Sequence, residues 1–189
     1  MLQGSNSEGA AAAKPDAALR YDNRSIALHW ITAALVLLLW CAGETIDWFP
    51  RGGARIAVRS LHILIGVVLA AIVAWRIGWR ATRASKPPTA ELGRLTMLSA
   101  LVHYALYAIL AATLALGIAN AWVRGDSIFG LFAIPSLAPG NRALRGLIED
   151  LHSWSANTLL ILAAVHACAA LWHHYVRRDN VLRRMWPGL

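Results

Sequence analysis

A chain of 189 residues that is 58% hydrophobic and only 15% charged is too apolar for a soluble domain of its size, which excludes most water-borne enzymes and binding modules. Its net charge of +8 would suit a nucleic-acid binder, yet the basic residues flank apolar stretches rather than forming a patch. That distribution excludes nucleic acid as the partner and points to a membrane surface carrying lipid headgroups.

Residues 1–20 are rich in Ala, Gly and Ser and lack the apolar core of a cleaved signal, so a disordered cytoplasmic tail is expected, with the first span acting as the insertion signal. Four apolar segments follow, at about 26–46, 57–79, 97–123 and 151–176, each long enough for a hydrocarbon core of about 30 Å. The stretch Asp22-Asn23-Arg24-Ser25 offers N-caps for the first. Trp48, Phe49, Pro50 and a Gly pair make the first connection, and Lys86-Pro87-Pro88 stops the second span. The longest connection, 124–149, carries Phe129, Leu131, Phe132 and Ile134, so it is expected to lie on the membrane surface or to cap the bundle. Trp48, Trp79, Trp122 and Trp172 fall near span ends, as in an aromatic belt. Cys41 and Cys168 fall near opposite ends of different spans, too far apart for a disulfide, and read as small buried apolar groups.

Twelve basic residues flank one side: Lys14, Arg20, Arg24, Arg76, Arg80, Arg83, Lys86, Arg94, Arg177, Arg178, Arg183 and Arg184. Six flank the other: Arg51, Arg55, Arg59, Arg124, Arg142 and Arg145. The positive-inside rule then places both termini in the cytoplasm of a bacterial inner-membrane protein. The expected fold is an all-α integral membrane bundle of four helices over residues 21–187, with no separate soluble domain.

The histidines carry the chemistry. His152 and His166 are fourteen residues apart in the fourth span. On a helix they lie ~40° apart in angle and ~21 Å apart along the axis, one near each membrane surface. Span direction puts His62 at the outer depth of His152, and His29 at the inner depth of His166. Each depth-matched pair can supply both axial ligands of one haem from facing helices, so two non-covalent bis-His haems fit the pattern. A zinc or copper site needs ligands converging on one point, whereas these split into two levels. Taken singly, each His also reads as a polar group bonded to backbone or to a neighbouring imidazole.

His103 lies at the inner level as well, as a competitor to His29, a partner for a haem propionate or substrate, or a packed polar residue. Arg59 is a propionate candidate at the outer level, and Arg24 and Arg80 at the inner one; each also reads as a lipid-headgroup anchor. Trp172, His173 and His174 sit at interfacial depth, where a quinone headgroup needs donors and a proton source, and where His residues also snorkel. Gly66, Ala156 and the alanines around His166 allow close packing or a bulky cofactor.

These residues are similar to those of the bacterial cytochrome b561 family, small four-helix di-haem membrane proteins. The motifs are Ser25-Ile26-Ala27-Leu28-His29-Trp30, Ser60-Leu61-His62-Ile63-Leu64-Ile65-Gly66, Leu151-His152-Ser153-Trp154 and Val165-His166-Ala167-Cys168-Ala169-Ala170-Leu171-Trp172-His173-His174-Tyr175, with Arg178-Asp179-Asn180 beyond. The resemblance covers about residues 20–187. It implies two haem b groups ligated by His29, His62, His152 and His166. It further implies transfer of electrons from superoxide outside to ubiquinone in the membrane. On this expectation superoxide approaches near Arg51, Arg55, Arg59, Arg142 and Arg145, with Arg55 and Arg59 closest to the reaction. The family-level alternative is a carrier subunit moving electrons between a partner redox protein and quinone.

Overall fold

The computed structural model describes residues 20–84 and 94–187. The expected tail up to residue 19 and the Lys86-Pro87-Pro88 stop lie outside these residues, as do Lys14 and the Arg94 side chain. Four long helices dominate: α1 Asn23–Thr45, α2 Gly53–Thr82, α3 Arg94–Arg124 and α4 Arg142–Trp172. All four carry windows long and apolar enough to cross a membrane. Up-down connectivity leaves a termini end (starts of α1 and α3, ends of α2 and α4) and a loop end. Large apolar side chains such as Leu37, Leu38, Trp75 and Val165 face outward. Water would penalise such a surface, whereas lipid solvates it while the helices satisfy their own backbone groups. Cys41 and Cys168 belong to this outward surface and are free thiols, not the buried groups expected.

Local chemistry sets the helix ends. The Asp22 side chain caps α1 by accepting from Ser25 N at 2.9 Å and Ser25 Oγ at 2.7 Å. α1 runs into a short 3-10 turn, Ile46–Trp48, and the chain reverses through Gly52, whose φ of +119° suits only glycine. α4 starts at Arg142, well before the expected Leu151, because Asn141 accepts from Leu144 N at 3.0 Å. The first turns carry Arg142, Arg145, Glu149 and Asp150, so hydropathy hides a segment that is helical but stands outside the apolar layer.

The connection is thereby shortened, and part of it folds as a hairpin, Ser127–Ile128 with Phe132–Ala133, in register Ser127↔Ala133 and Ile128↔Phe132. It docks on α2. Buried Ser60 Oγ accepts from Phe129 N at 2.8 Å and lies 2.7 Å from the Ile56 carbonyl and 3.2 Å from the Ser127 carbonyl. The hairpin therefore caps the loop end of the bundle.

α1 packs chiefly on α2 and α3 chiefly on α4, while α2 and α4 barely touch. A cleft between the two helical hairpins results. Midway along it, Leu39, Leu69, Val73, Leu110 and Leu159 form a buried apolar plug. Leu159 lies seven residues from both His152 and His166, so the plug divides the cleft into two levels. At the termini end the C-terminal segment folds back on α1. Trp30 Nε1 donates to the Met185 carbonyl at 2.7 Å, Tyr21 N to the Arg184 carbonyl at 3.2 Å, and an Arg20 Nη to the Trp186 carbonyl at 2.8 Å.

Candidate functional site

At the loop end, His62 from α2 and His152 from α4 face each other with ring centres 6.2 Å apart. They line a cavity of about 370 Å³ that also reaches Gly43, Gly66, Gly117, Arg59, Arg124 and Asn120. Two glycines give the rings their space. A Cβ on Gly117 would lie 3.0 Å from His152 Cε1, and one on Gly43 would lie 3.4 Å from His62 Cε1. His152 Nδ1 lies 3.1 Å from the Thr113 carbonyl. A carbonyl can only accept, so Nδ1 carries the proton and Nε2 keeps its lone pair for a metal. His62 Nδ1 is buried and short of a well-formed hydrogen bond, with the Leu39 carbonyl the acceptor beside it.

At the termini end, His29 and His166 have ring centres 6.3 Å apart, and His103 lies 5.2 Å from His166. Three imidazoles thus meet at this level. His103 Nδ1 lies 2.6 Å from the Ser99 carbonyl, which leaves its Nε2 free. His29 Nδ1 lies 2.9 Å from an Arg76 Nη. Arginine can only donate, so this ring nitrogen accepts. The Arg76 guanidinium also lies 5.3 Å from the centre of the Tyr107 ring.

The spacing tests whether these rings suit a shared metal. A metal ~2 Å from each nitrogen, with each nitrogen ~1.1 Å from its ring centre, separates the two centres by ~6.2 Å. Both His62–His152 and His29–His166 meet that figure, and His103–His166 is about 1 Å too short. Among the described residues no three His, Cys, Asp or Glu converge on one point, unlike a zinc site. The apposed imidazoles thus have, at each of the two levels, the ring separation that two nitrogens on one metal would give, and at the loop end they line the cavity. Hydrogen bonding alone would favour His103 over His29 at the inner level. The ring separation favours His29 over His103, and the two criteria point to different residues.

At the loop end, where Arg51, Arg55, Arg59, Arg142 and Arg145 stand in sequence beside Glu44, Asp47, Asp126, Glu149 and Asp150, the described arginines near the cavity are paired with acids. Arg55 is tied to Asp47 at 3.1 Å and to the Phe49 carbonyl at 2.6 Å, and it stands outside the cavity. Arg59 lies 3.5 Å from Asp126, and Arg124 lies 3.5 Å from Asp126 and 2.7 Å from Glu149. With Glu44 and Asp47 also lining the cavity, two arginines stand against four carboxylates. The hairpin and the early start of α4 deliver these acids, which span-by-span reading left in a loop.

Arg24 stacks over Trp79 at 4.7 Å and Arg80 over Tyr21 at 5.8 Å, so each is engaged with an aromatic ring at the bundle end. Trp79 Nε1 donates to Asp22 Oδ1 at 3.0 Å, which ties the end of α2 to the start of α1. Partial burial pushes the Asp22 carboxyl up, but the bonds from Ser25 and Trp79 outweigh it and hold it below the usual carboxylate value.

His173 lies in a π turn, His173–Arg177, that continues α4, and its Nδ1 is 2.6 Å from Asp179 Oδ2. Burial raises the Asp179 carboxyl; the bonds from His173 and Val181 N and the charge of Arg177 bring it below its ordinary value. His174 packs edge-on to Tyr175, and Trp172 is half exposed with the Arg177 guanidinium 5.6 Å from its ring. Trp172 ends an open apolar groove of about 600 Å³ on the outer face of α4, formed with Ile161, Ala164, Val165, Cys168 and Ala169.

Sequence reasoning missed Arg76, Arg124, Gly43 and Gly117. Arg76 counted only as a basic flank, although it stands fourteen residues after His62 and so on nearly the same face of α2. That phase was the available signal.

The family model for prokaryotic cytochrome b561 matches residues 20–188. The chain is 34% identical to cytochrome b561 homolog 1 of Escherichia coli over 173 residues, which covers 89% of this chain and 97% of that protein. It is 29% identical to the probable superoxide oxidase CybB of Yersinia pestis, covering 89% and 96%. It is 30% identical to the cytochrome b562 of Cereibacter sphaeroides, covering 87% and 94%.

Proposed function

The chain belongs to the prokaryotic cytochrome b561 family of multi-pass haem b membrane electron carriers, and from that premise we propose that it oxidises superoxide outside and reduces ubiquinone within the membrane. The observation that carries the reading is the pair of imidazole couples, 6.2 and 6.3 Å between ring centres, stacked on either side of an apolar plug. His62 and His152 hold one haem b, and His29 and His166 the other, within one domain over residues 21–187. Each haem b, when bound, takes up and releases a single electron. The surplus of basic flanks at the termini end puts that end in the cytoplasm of the bacterial inner membrane and the loop end in the periplasm.

The chain's own residues account for the rest. Two superoxide ions each give up one electron and leave as dioxygen, while one quinone gains two electrons and two protons. Arg59 and Arg124 line the cavity at the loop end, and fixed cations there attract a small anion. Asp126 and Glu149 hold both side chains in place and weaken the long-range pull. At the other end the apolar groove from Ile161 to Trp172 suits a prenyl tail within lipid. His173, oriented by Asp179, and His174 stand at its tip as donors of hydrogen bonds and protons to the headgroup.

Rapid mixing of the oxidised, haem-loaded protein with superoxide tests this. The haem absorbance should shift to the reduced form on mixing and return on adding ubiquinone. A two-haem protein that superoxide leaves oxidised would transfer the role to a carrier fed by a partner redox protein.

A further inference from the structure

The two levels of the cleft differ in charge, and the difference rests on Arg76. At the loop end both arginines that line the cavity are matched by Asp126 and Glu149, Asp47 is paired with Arg55 outside it, and Glu44 adds one more carboxylate. At the termini end Arg76 lies on His29 Nδ1 at 2.9 Å and over the Tyr107 ring, and none of the ion pairs among the described residues includes it. The other groups around it are the His103 and His166 imidazoles and the Arg80 guanidinium, none of them anionic. Among the described residues the acids at that end are Asp22, engaged by Ser25 and Trp79, and Asp179, engaged by His173 and Arg177. A guanidinium stays protonated at any working pH, so its charge is fixed.

We infer that Arg76 holds the haem site of His29 and His166 at a higher reduction potential than that of His62 and His152. The charge then runs an electron downhill from the loop end to the termini end. The inference rests on the di-haem reading above. A reduced haem carries one negative charge more than an oxidised one, so a nearby cation favours reduction and a nearby carboxylate opposes it. At an effective dielectric of about 20, one charge beside a ligating ring shifts a one-electron equilibrium by roughly tenfold or more. Arg76 acts through the ring it touches and is a positioning residue; nothing here requires it to meet a substrate.

The test is a spectroelectrochemical titration of the full-length, haem-loaded protein in detergent, with the haem content measured alongside. Wild type should show two one-electron waves. In Arg76→Gln the higher wave should fall by tenfold or more in equilibrium constant, at about 59 mV per tenfold, while the lower wave stays put. Arg76→Lys, which keeps the charge, should hold the higher wave within about threefold of wild type. Two unmoved waves in Arg76→Gln, or a moved lower wave, would overturn the inference and leave the di-haem reading intact. If Arg76→Gln retains only one haem, His29→Ala decides: its surviving wave must be the lower one, and survival of the higher one overturns the inference. Fewer than two haems in wild type would sink the di-haem reading itself.

Discussion

The loop-end and termini-end histidine pairs have the same spacing and opposite surroundings. His62 and His152 face each other in a cavity rimmed by matched ions and relieved by glycines. His29 and His166 share their level with a third imidazole and a guanidinium that has no carboxylate partner among the described residues. Residue type is the same at both ends, so if both pairs hold a haem as proposed, any functional asymmetry has to come from what lies behind the rings. Metal sites behave this way generally: the groups bonded to the ligands, and the charge around them, tune the metal as much as the ligands do.

The sharpest way to break the comparison is to remove one ring from each level. His62→Ala should lower haem content from two per chain to one and abolish reduction by superoxide, because the loop-end site is the one that faces the proposed donor. His29→Ala should also leave one haem, whereas His103→Ala should keep both. Haem quantification of the purified variants decides it. A one-haem His103→Ala protein with a two-haem His29→Ala protein would mean that the 5.2 Å pair closes on the metal and the 6.3 Å pair does not.

Glycine substitutions probe the same site more gently. Gly117→Val puts a Cβ at 3.0 Å from His152 Cε1 and adds two further methyls, so the ring must turn and lose its Thr113 bond. Loop-end haem occupancy should fall several-fold while the other haem stays. Gly43→Ala meets His62 at 3.4 Å, an ordinary close contact, and should leave both haems bound. Equal losses in the two variants would show that the glycines serve helix packing rather than ring clearance.

Arg124→Gln comes next in size. Its loss frees Glu149 and leaves Asp126 to Arg59 alone, making the cavity mouth more negative. The rate of haem reduction by superoxide should drop several-fold at low salt, with the gap closing as ionic strength rises and screening takes over. A rate unchanged at low salt would remove the cavity mouth from the superoxide route.

Much of this is legible in the sequence, and the reasons are physical. Hydropathy length and helical period are local signals, so four spans and the shared phase of His152 and His166 follow from residues alone. Span direction then sorts His62 and His29 by depth. What the sequence hid is non-local. Arg76 reads as a headgroup anchor until α1 and α3 place His29 and Tyr107 beside it. The sequence lists arginines and acids together at the loop end but not which meets which, and that is set when the hairpin docks on Ser60 and Asp126 stands against Arg59. The first turns of α4 stayed hidden because a polar helix beyond the apolar layer carries no hydropathy signal, and only the Asn141 cap marks its start.

The smallest expected effect lies at the termini end, where Asp22 ties the start of α1 to Trp79 of α2. Asp22→Ala removes the cap and should destabilise the protein by about 1 kcal/mol near neutral pH. The carboxyl is held below its ordinary value in the folded chain, so the folded state binds fewer protons at this group than the unfolded state does. Its contribution is therefore complete above an unfolded value of about 3.9 and disappears as pH falls through the lowered folded value. Thermal unfolding followed by circular dichroism at pH 7 and near pH 3 checks the sign. Wild type should melt higher than Asp22→Ala at pH 7, and the two should converge at the acid end. A gap that persists unchanged at low pH would mean that packing around Trp79, and not the ionised cap, holds the two helix ends together.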